Sequence, residues 1–155
     1  MTDEITVQAR ALLAANRYAV IGTATPGGAP WVSPLYVVVP DLDTVLWLSR
    51  PTSRHSELIA ANDRIAVTVF DSTVPMGGAT AFYALATAGL CPDADLPGLL
   101  ATFSAHSAAH GFPTWRLEQV TGDAPLRLYR AAITEAWLLP AEDGPERRIP
   151  LRPGV

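Results

Sequence analysis

Short apolar runs broken by turn chemistry alternate along this chain with a few stretches of helical spacing. Ile5, Ala9, Leu12 and Leu13 share one face of a first helix that Thr2 or Asp3 can cap and that ends near Asn16. Strands are expected over Tyr18 to Ala24, Trp31 to Val39 and Thr44 to Ser49, joined by the Pro-Gly-Gly turn at 26–28 and the Pro-Asp-Leu-Asp turn at 40–43. A helix around Ser53 to Asn62, a strand over Arg64 to Phe70, a Pro- and Gly-rich loop at 71–78 and a strand over Thr80 to Leu90 follow. Asp95 then heads a helix in which Leu96, Leu99, Leu100 and Phe103 share a face down to about His110, and Gly111 ends it. The segment from Phe112 to Pro125 reads as a loop or short helix presenting Trp115. Leu126 to Ala132 and Thr134 to Leu139 are the last strands, meeting in a bend or running on as one bulged ribbon.

Connections this short mean antiparallel hairpins, not a doubly wound parallel sheet. Several strands are apolar on both faces, as in Ala19, Val20 and Ile21, or Val37, Val38 and Val39, or Ile65 to Phe70. One face then fills a barrel while helices or another subunit cover the other. The expected fold is mainly β (α+β), a six- to seven-stranded antiparallel barrel with flanking helices, formed by one domain over residues 1–140. Residues 141–155, rich in Pro, Gly and charge, are expected to be a mobile tail. A homodimer hiding the outer apolar face follows from the same pattern.

Composition narrows the function. An apolar content of 49% excludes a disordered chain, and the net charge of −4 with no Lys/Arg cluster argues against a nucleic-acid partner. All eleven basic residues are Arg, which suits bidentate phosphate contacts. Cys91 is alone, so neither a disulfide framework nor a cysteine-only metal cage can form within the chain. The amino end shows no secretory signal, and no uninterrupted apolar stretch suits a membrane span. A cytoplasmic location with no membrane partner is expected.

Candidate chemistry concentrates at residues 44–62, TVLWLSRPTSRHSELIAAN. A buried strand runs into hydroxyl, guanidinium and imidazole donors, Pro51 forces a turn, and Thr52 or Ser53 can cap the next helix. Ser49, Arg50, Ser53, Arg54 and His55 would then point, with the free N–H groups of the first helical turn, at one small anion such as a phosphate. Trp47 is either strand packing or a wall of that site. Capping and solubility account for many helices that begin with Ser and Arg.

This order of elements and the SRPTSRH turn resemble the pyridoxamine 5′-phosphate oxidase-like, FMN-binding split-barrel family over roughly residues 3–139. The resemblance implies that Ser49, Arg54 and His55 hold the phosphate of flavin mononucleotide. His55 stands where many relatives place Lys, so cofactor affinity is expected to weaken as pH rises. It implies that Ser33, Pro34, Leu35 and Tyr36 flank the flavin ring, although an edge strand explains Pro34 equally well. Residues 81–88 resemble a family strand whose small residues allow close backbone approach. A partner subunit would complete each site in a homodimer, with Trp115 and Arg116 as the candidates. An oxidoreductase of an unidentified small molecule is implied, but the Arg-rich ending of true pyridoxamine phosphate oxidases is missing and no catalytic residue is assigned. The alternatives are a non-catalytic split-barrel protein that binds or sequesters flavin or haem, and a deazaflavin-dependent reductase.

Other motifs carry less. His106 and His110 lie four apart, a metal-ligand spacing, but the zinc-peptidase Glu and a third ligand are missing, so no metal site is expected. Asp71 and Ser72 read as turn formers or ligand contacts, and no nucleophile elbow, Walker loop or dinucleotide fingerprint occurs.

Overall fold

The computed structural model describes residues 2–141 and 147–151. Its elements run α1 (Thr2–Ala15), β1 (Tyr18–Ala24), β2 (Pro30–Tyr36), β3 (Thr44–Ser49), α2 (Arg54–Ala61), β4 (Arg64–Phe70), β5 (Ala81–Leu90), α3 (Leu96–Ala109), a 3-10 turn (Leu117–Gln119), β6 (Arg127–Leu139) and β7 (Ile149–Leu151). All strand pairings are antiparallel, in the order β2-β1-β4-β5-β6-β3, with β7 also on β6. The two outermost strands, β2 and β3, meet at one place, where Val38 and Leu46 exchange backbone hydrogen bonds of 2.9 and 2.8 Å. The sheet is therefore a split barrel, closed beyond the end of β2 and open along the rest of that strand.

Period-two alternation fills the barrel. Ala19 and Ile21, Val45 and Trp47, Ile65, Val67 and Val69, and Phe82, Ala84, Ala86 and Ala88 all point inward, and α1 adds Ala9 and Leu12. Trp47 lies opposite Tyr129 in the register and stacks on it, rings 5.7 Å apart and 11° from parallel. The alternate residues of β3 and β6, Leu46 and Leu128, lie on the outer face beneath Leu96, Leu100 and Phe103 of α3. Both faces of β3 are thus buried, which is why its sequence is apolar throughout.

The last strands form the single bulged ribbon. In β6 the inward residues are Tyr129, Ala131 and Ile133, and then Ala136 and Leu138, so the parity changes once. Thr134 is the extra residue: Leu85 pairs with Glu135 and Ala86 with Ile133, and the Thr134 hydroxyl donates to the Leu85 carbonyl at 3.0 Å. The bend lets one strand pair with β3 along its first half and β7 along its second.

β7 corrects the expectation of a mobile tail over 141–155. Ile149, Pro150 and Leu151 pair with Leu138, Trp137 and Ala136, and Leu151 is buried in the barrel core. A hydrophobic Ile-Pro-Leu with the proline on an added edge strand is the physical reason. Residues 142–146 and 152–155 lie outside the described residues, as do the side chains of Thr2 and Asp3, expected to cap α1. No helix among the described residues is long and apolar enough to cross a membrane.

If the inward face is the stabilising core, Phe82→Ala, which empties a fully buried position, should cost about 3–5 kcal/mol of unfolding free energy. Phe70→Ala, at a half-exposed position on neighbouring β4, should cost well under half as much. Denaturant midpoints of the two variants check this.

Candidate functional site

α2 lies against β1, β2 and β5, and its first residue, Arg54, reaches Trp31 on β2, the strand that borders the split. Ser49, the last residue of β3, keeps the inward parity of Val45 and Trp47 and is buried. Its hydroxyl lies 2.7 Å from Nε2 of His55, and the Ser53 hydroxyl lies 3.0 Å from the same nitrogen. Ser53 also donates to the Arg50 carbonyl at 2.8 Å and lies 2.8 Å from the Ser56 hydroxyl. The end of β3 and the first turn of α2 are thereby tied into one node of three hydroxyls and an imidazole.

Ser53 holds the N-cap position without giving its side chain to the helix amides. The first-turn N–H groups of α2 therefore keep their capacity to bind an oxygen from outside the helix. Burial pushes the His55 imidazole below its ordinary pKa of 6.5. At neutral pH His55 is a neutral partner of the two serines.

Arg54 points to the other side of the gap. Its guanidinium carbon lies 6.0 Å from the centroid of the Trp31 ring on β2. The Trp31 indole N–H in turn donates to the Ser33 hydroxyl at 3.1 Å. Trp31, Ser33 and Leu35 share one face of β2, so the strand presents to Arg54 an aromatic plate locked by its own neighbour. Trp31 was not among the residues the sequence pointed to. The signal was a large aromatic two residues before Ser33, and so on its face of the strand.

The other expected residues divide. Trp47 is fully buried inside the barrel and its indole nitrogen has no partner there, so it is core packing and no wall of a ligand site, a correction that follows from its inward parity. Leu35 also turns inward against the core, leaving only its backbone toward any ligand. Pro34 is exposed on β2, an edge strand, which accounts for a proline there. Arg50 contributes its carbonyl to the Ser53 turn while its side chain is exposed. Tyr36 lies on the opposite face of β2, packed edge-on against Phe103 and Phe112. Trp115 packs with it against the α3 core, and Arg116 pairs with Glu118 at 3.6 Å.

His106 and His110 do not share a metal-like cluster. His106 Nδ1 faces the Thr102 carbonyl at 2.9 Å, and His110 Nδ1 meets the Tyr36 hydroxyl at 2.8 Å. Among the described residues no group of three or more His, Cys, Asp or Glu side chains is placed to hold a metal ion. Asp71 is a turn former, since its carboxylate accepts from the Thr73 amide and hydroxyl, which also holds its pKa below the ordinary range.

A sequence model described as pyridoxamine 5′-phosphate oxidase matches residues 5–139. No curated protein sequence matches the chain. Among solved structures, the chain is similar to an FAD-binding protein from Mesorhizobium loti, with 21% identity, a TM-score of 0.61, and 86% of this chain and 90% of that one covered. It is similar to a haem storage protein from Vibrio cholerae at 15% identity, TM-score 0.63, covering 90% and 92%. An F420 reductase is a third, at 18% identity, TM-score 0.59, covering 82% and 94%. At such identities the likeness is one of fold.

The lowered pKa of His55 has a testable sign. An unfolded imidazole takes up its proton near 6.5 while the folded one takes it up only at lower pH, so stability is complete above 6.5 and falls on acidification below it. In a buffer without phosphate or other multivalent anions, His55→Gln should flatten that part of the stability profile between pH 7 and 5. An unchanged slope in thermal or denaturant unfolding would show that His55 does not titrate as described.

Proposed function

The chain belongs to the pyridoxamine 5′-phosphate oxidase family through its match over residues 5–139, and from that premise we propose that it is a homodimeric flavin mononucleotide protein, an oxidoreductase of a small molecule, with the cofactor phosphate held at the start of α2. The observation that carries this reading is the node of Ser49, Ser53 and His55 beside an uncapped helix turn, with the Arg54 guanidinium next in sequence. Hydroxyl donors, helix amides, a protonatable imidazole and a guanidinium together make a donor set suited to a phosphate dianion.

Each residue has a distinct part. Ser49 and Ser53 fix the His55 ring, so that one nitrogen is already oriented before any anion arrives. A dianion beside that ring raises its pKa, so binding takes up a proton and weakens as pH rises through the bound-state value. Arg54 supplies charge that does not titrate, and its position depends on Trp31. The backbone of residues 33–36 on the edge strand is available to flank a flat ring. A bound flavin would supply the electron transfer, and this chain the binding and orientation.

Dimerisation is supported by the outer face of the sheet. Val32 is 64% exposed and Leu85 39%, and with Ala66 they border a broad groove across β2, β1, β4 and β5. An apolar strip at Val32, Ala66 and Leu85 within it, bordered by Asp63, Arg64 and Glu135, suits a second copy. In the dimer, Trp115 and Arg116 of one protomer are proposed to reach the cofactor of the other.

Arg54→Ala removes a charge-assisted contact and should cost about 1.5–3 kcal/mol of flavin mononucleotide affinity, or roughly ten- to a hundredfold. Equilibrium titration followed by flavin fluorescence measures it. Unchanged affinity would place the phosphate elsewhere. Protein whose absorption spectrum after reconstitution shows haem or deazaflavin bands in place of flavin would replace the cofactor in this reading.

A further inference from the structure

A second cavity, of about 340 Å3, lies on the outer side of the barrel where the ends of β2 and β3 meet α3. That is within the range of small-molecule pockets, roughly 300–1,000 Å3. Its walls are aromatic: Tyr36, Phe103, Phe112 and Trp115, with Leu48 on the β3 side. Two of the aromatics at its edge are left unusually open to solvent, Tyr18 at 61% and Phe112 at 38%.

Two polar groups of the cavity, Ser107 and Tyr36, have protein partners for their protons. Ser107 is buried and gives its single proton to the Pro113 carbonyl at 2.9 Å. The Tyr36 hydroxyl lies 2.8 Å from His110 Nδ1 and also neighbours the Ser107 hydroxyl, whose own proton is engaged, so the phenol proton has an acceptor within the protein on either side. Burial raises the Tyr36 pKa and lowers that of His110, which keeps both neutral. The Tyr36 and Ser107 hydroxyls therefore keep only lone pairs to offer to a molecule in the cavity. Arg17, whose guanidinium lies 5.6 Å from the Phe112 ring centroid, makes the rim hostile to a cation. A donor on an ammonium is disfavoured there and one on a neutral hydroxyl is not.

We infer that this cavity is a binding site for a small planar phenol-type molecule, its ring seated among Tyr36, Phe112 and Trp115 and its hydroxyl donating to Tyr36. The site faces away from its own chain's inner-face node of Ser49 and His55, and the inference does not rest on the flavin reading, with which it shares one residue, Trp115, proposed above for the dimer contact. Tyr36 is its specificity-determining residue, because it alone joins the aromatic wall to the acceptor pair.

The test compares 2-naphthol with 2-methoxynaphthalene, the same ring system without the donor, by isothermal titration of the full-length protein carrying whatever cofactor it holds. The naphthol should bind about three- to tenfold more tightly, the worth of one hydrogen bond. Tyr36→Phe keeps the ring in place and should bring the two affinities together, with an unchanged melting temperature showing that the fold is intact. Equal affinities in the unmodified protein, no binding of the naphthol, or a preference that survives Tyr36→Phe would overturn the inference. So would displacement of bound 2-naphthol by added flavin mononucleotide, which would make the cavity the seat of the flavin ring.

Discussion

Two backbone hydrogen bonds between Val38 and Leu46 decide the character of this molecule. They join the outermost strands of the sheet at one point, just beyond the end of β2, and leave the rest of β2 without a partner on that side. The first turn of α2 follows close on β3, because β3 ends at Ser49 and Pro51 forces the turn, and its Arg54 reaches Trp31 on β2. A fully closed barrel would have no such gap, and the donors at the start of α2 would have nowhere to face. An unclosed sheet would leave Trp47 and Phe82 without a core to enter.

Rigidity on one side of the gap and adjustability on the other follow from burial. Ser49 is the last residue of a strand buried on both faces, so the hydroxyl that meets His55 is fixed by the barrel itself. Arg54 is exposed and is held by an aromatic plate whose own position depends on one hydrogen bond to Ser33. A site with one preorganised wall and one long cationic arm can close on a ligand without distorting the core.

Much of the fold was legible in the sequence. The bounds of β1, β3 and β4 could be read directly, since each is an alternating or wholly apolar run fenced by Pro, Gly, Asn or Asp. β7 was not legible: three residues in a charged, proline-rich stretch carry too short a pattern, and only the second half of β6 gives them a partner. The Ser49, Ser53 and His55 contacts follow from spacing across a single tight turn, and so were foreseeable. Trp47, read as strand packing or a wall of the site, is packing, and Trp31, for which the sequence suggested no role, lies beside Arg54, for a reason that lies in the barrel. Inward parity buries the tryptophan in the middle of β3 but leaves the one near the start of an edge strand at the mouth of the split. The Tyr36–His110 contact joins residues 74 apart in sequence and has no local signature.

The central claim is that the node at the start of α2 grips a phosphate. Its most direct measurement is the affinity for flavin mononucleotide set against that for riboflavin, which shares the ring and lacks the phosphate. Two or more charge-assisted contacts, at about 1.5–3 kcal/mol each, predict a preference for the mononucleotide of at least a hundredfold. Equal affinities for the two, or binding of neither, would contradict the account.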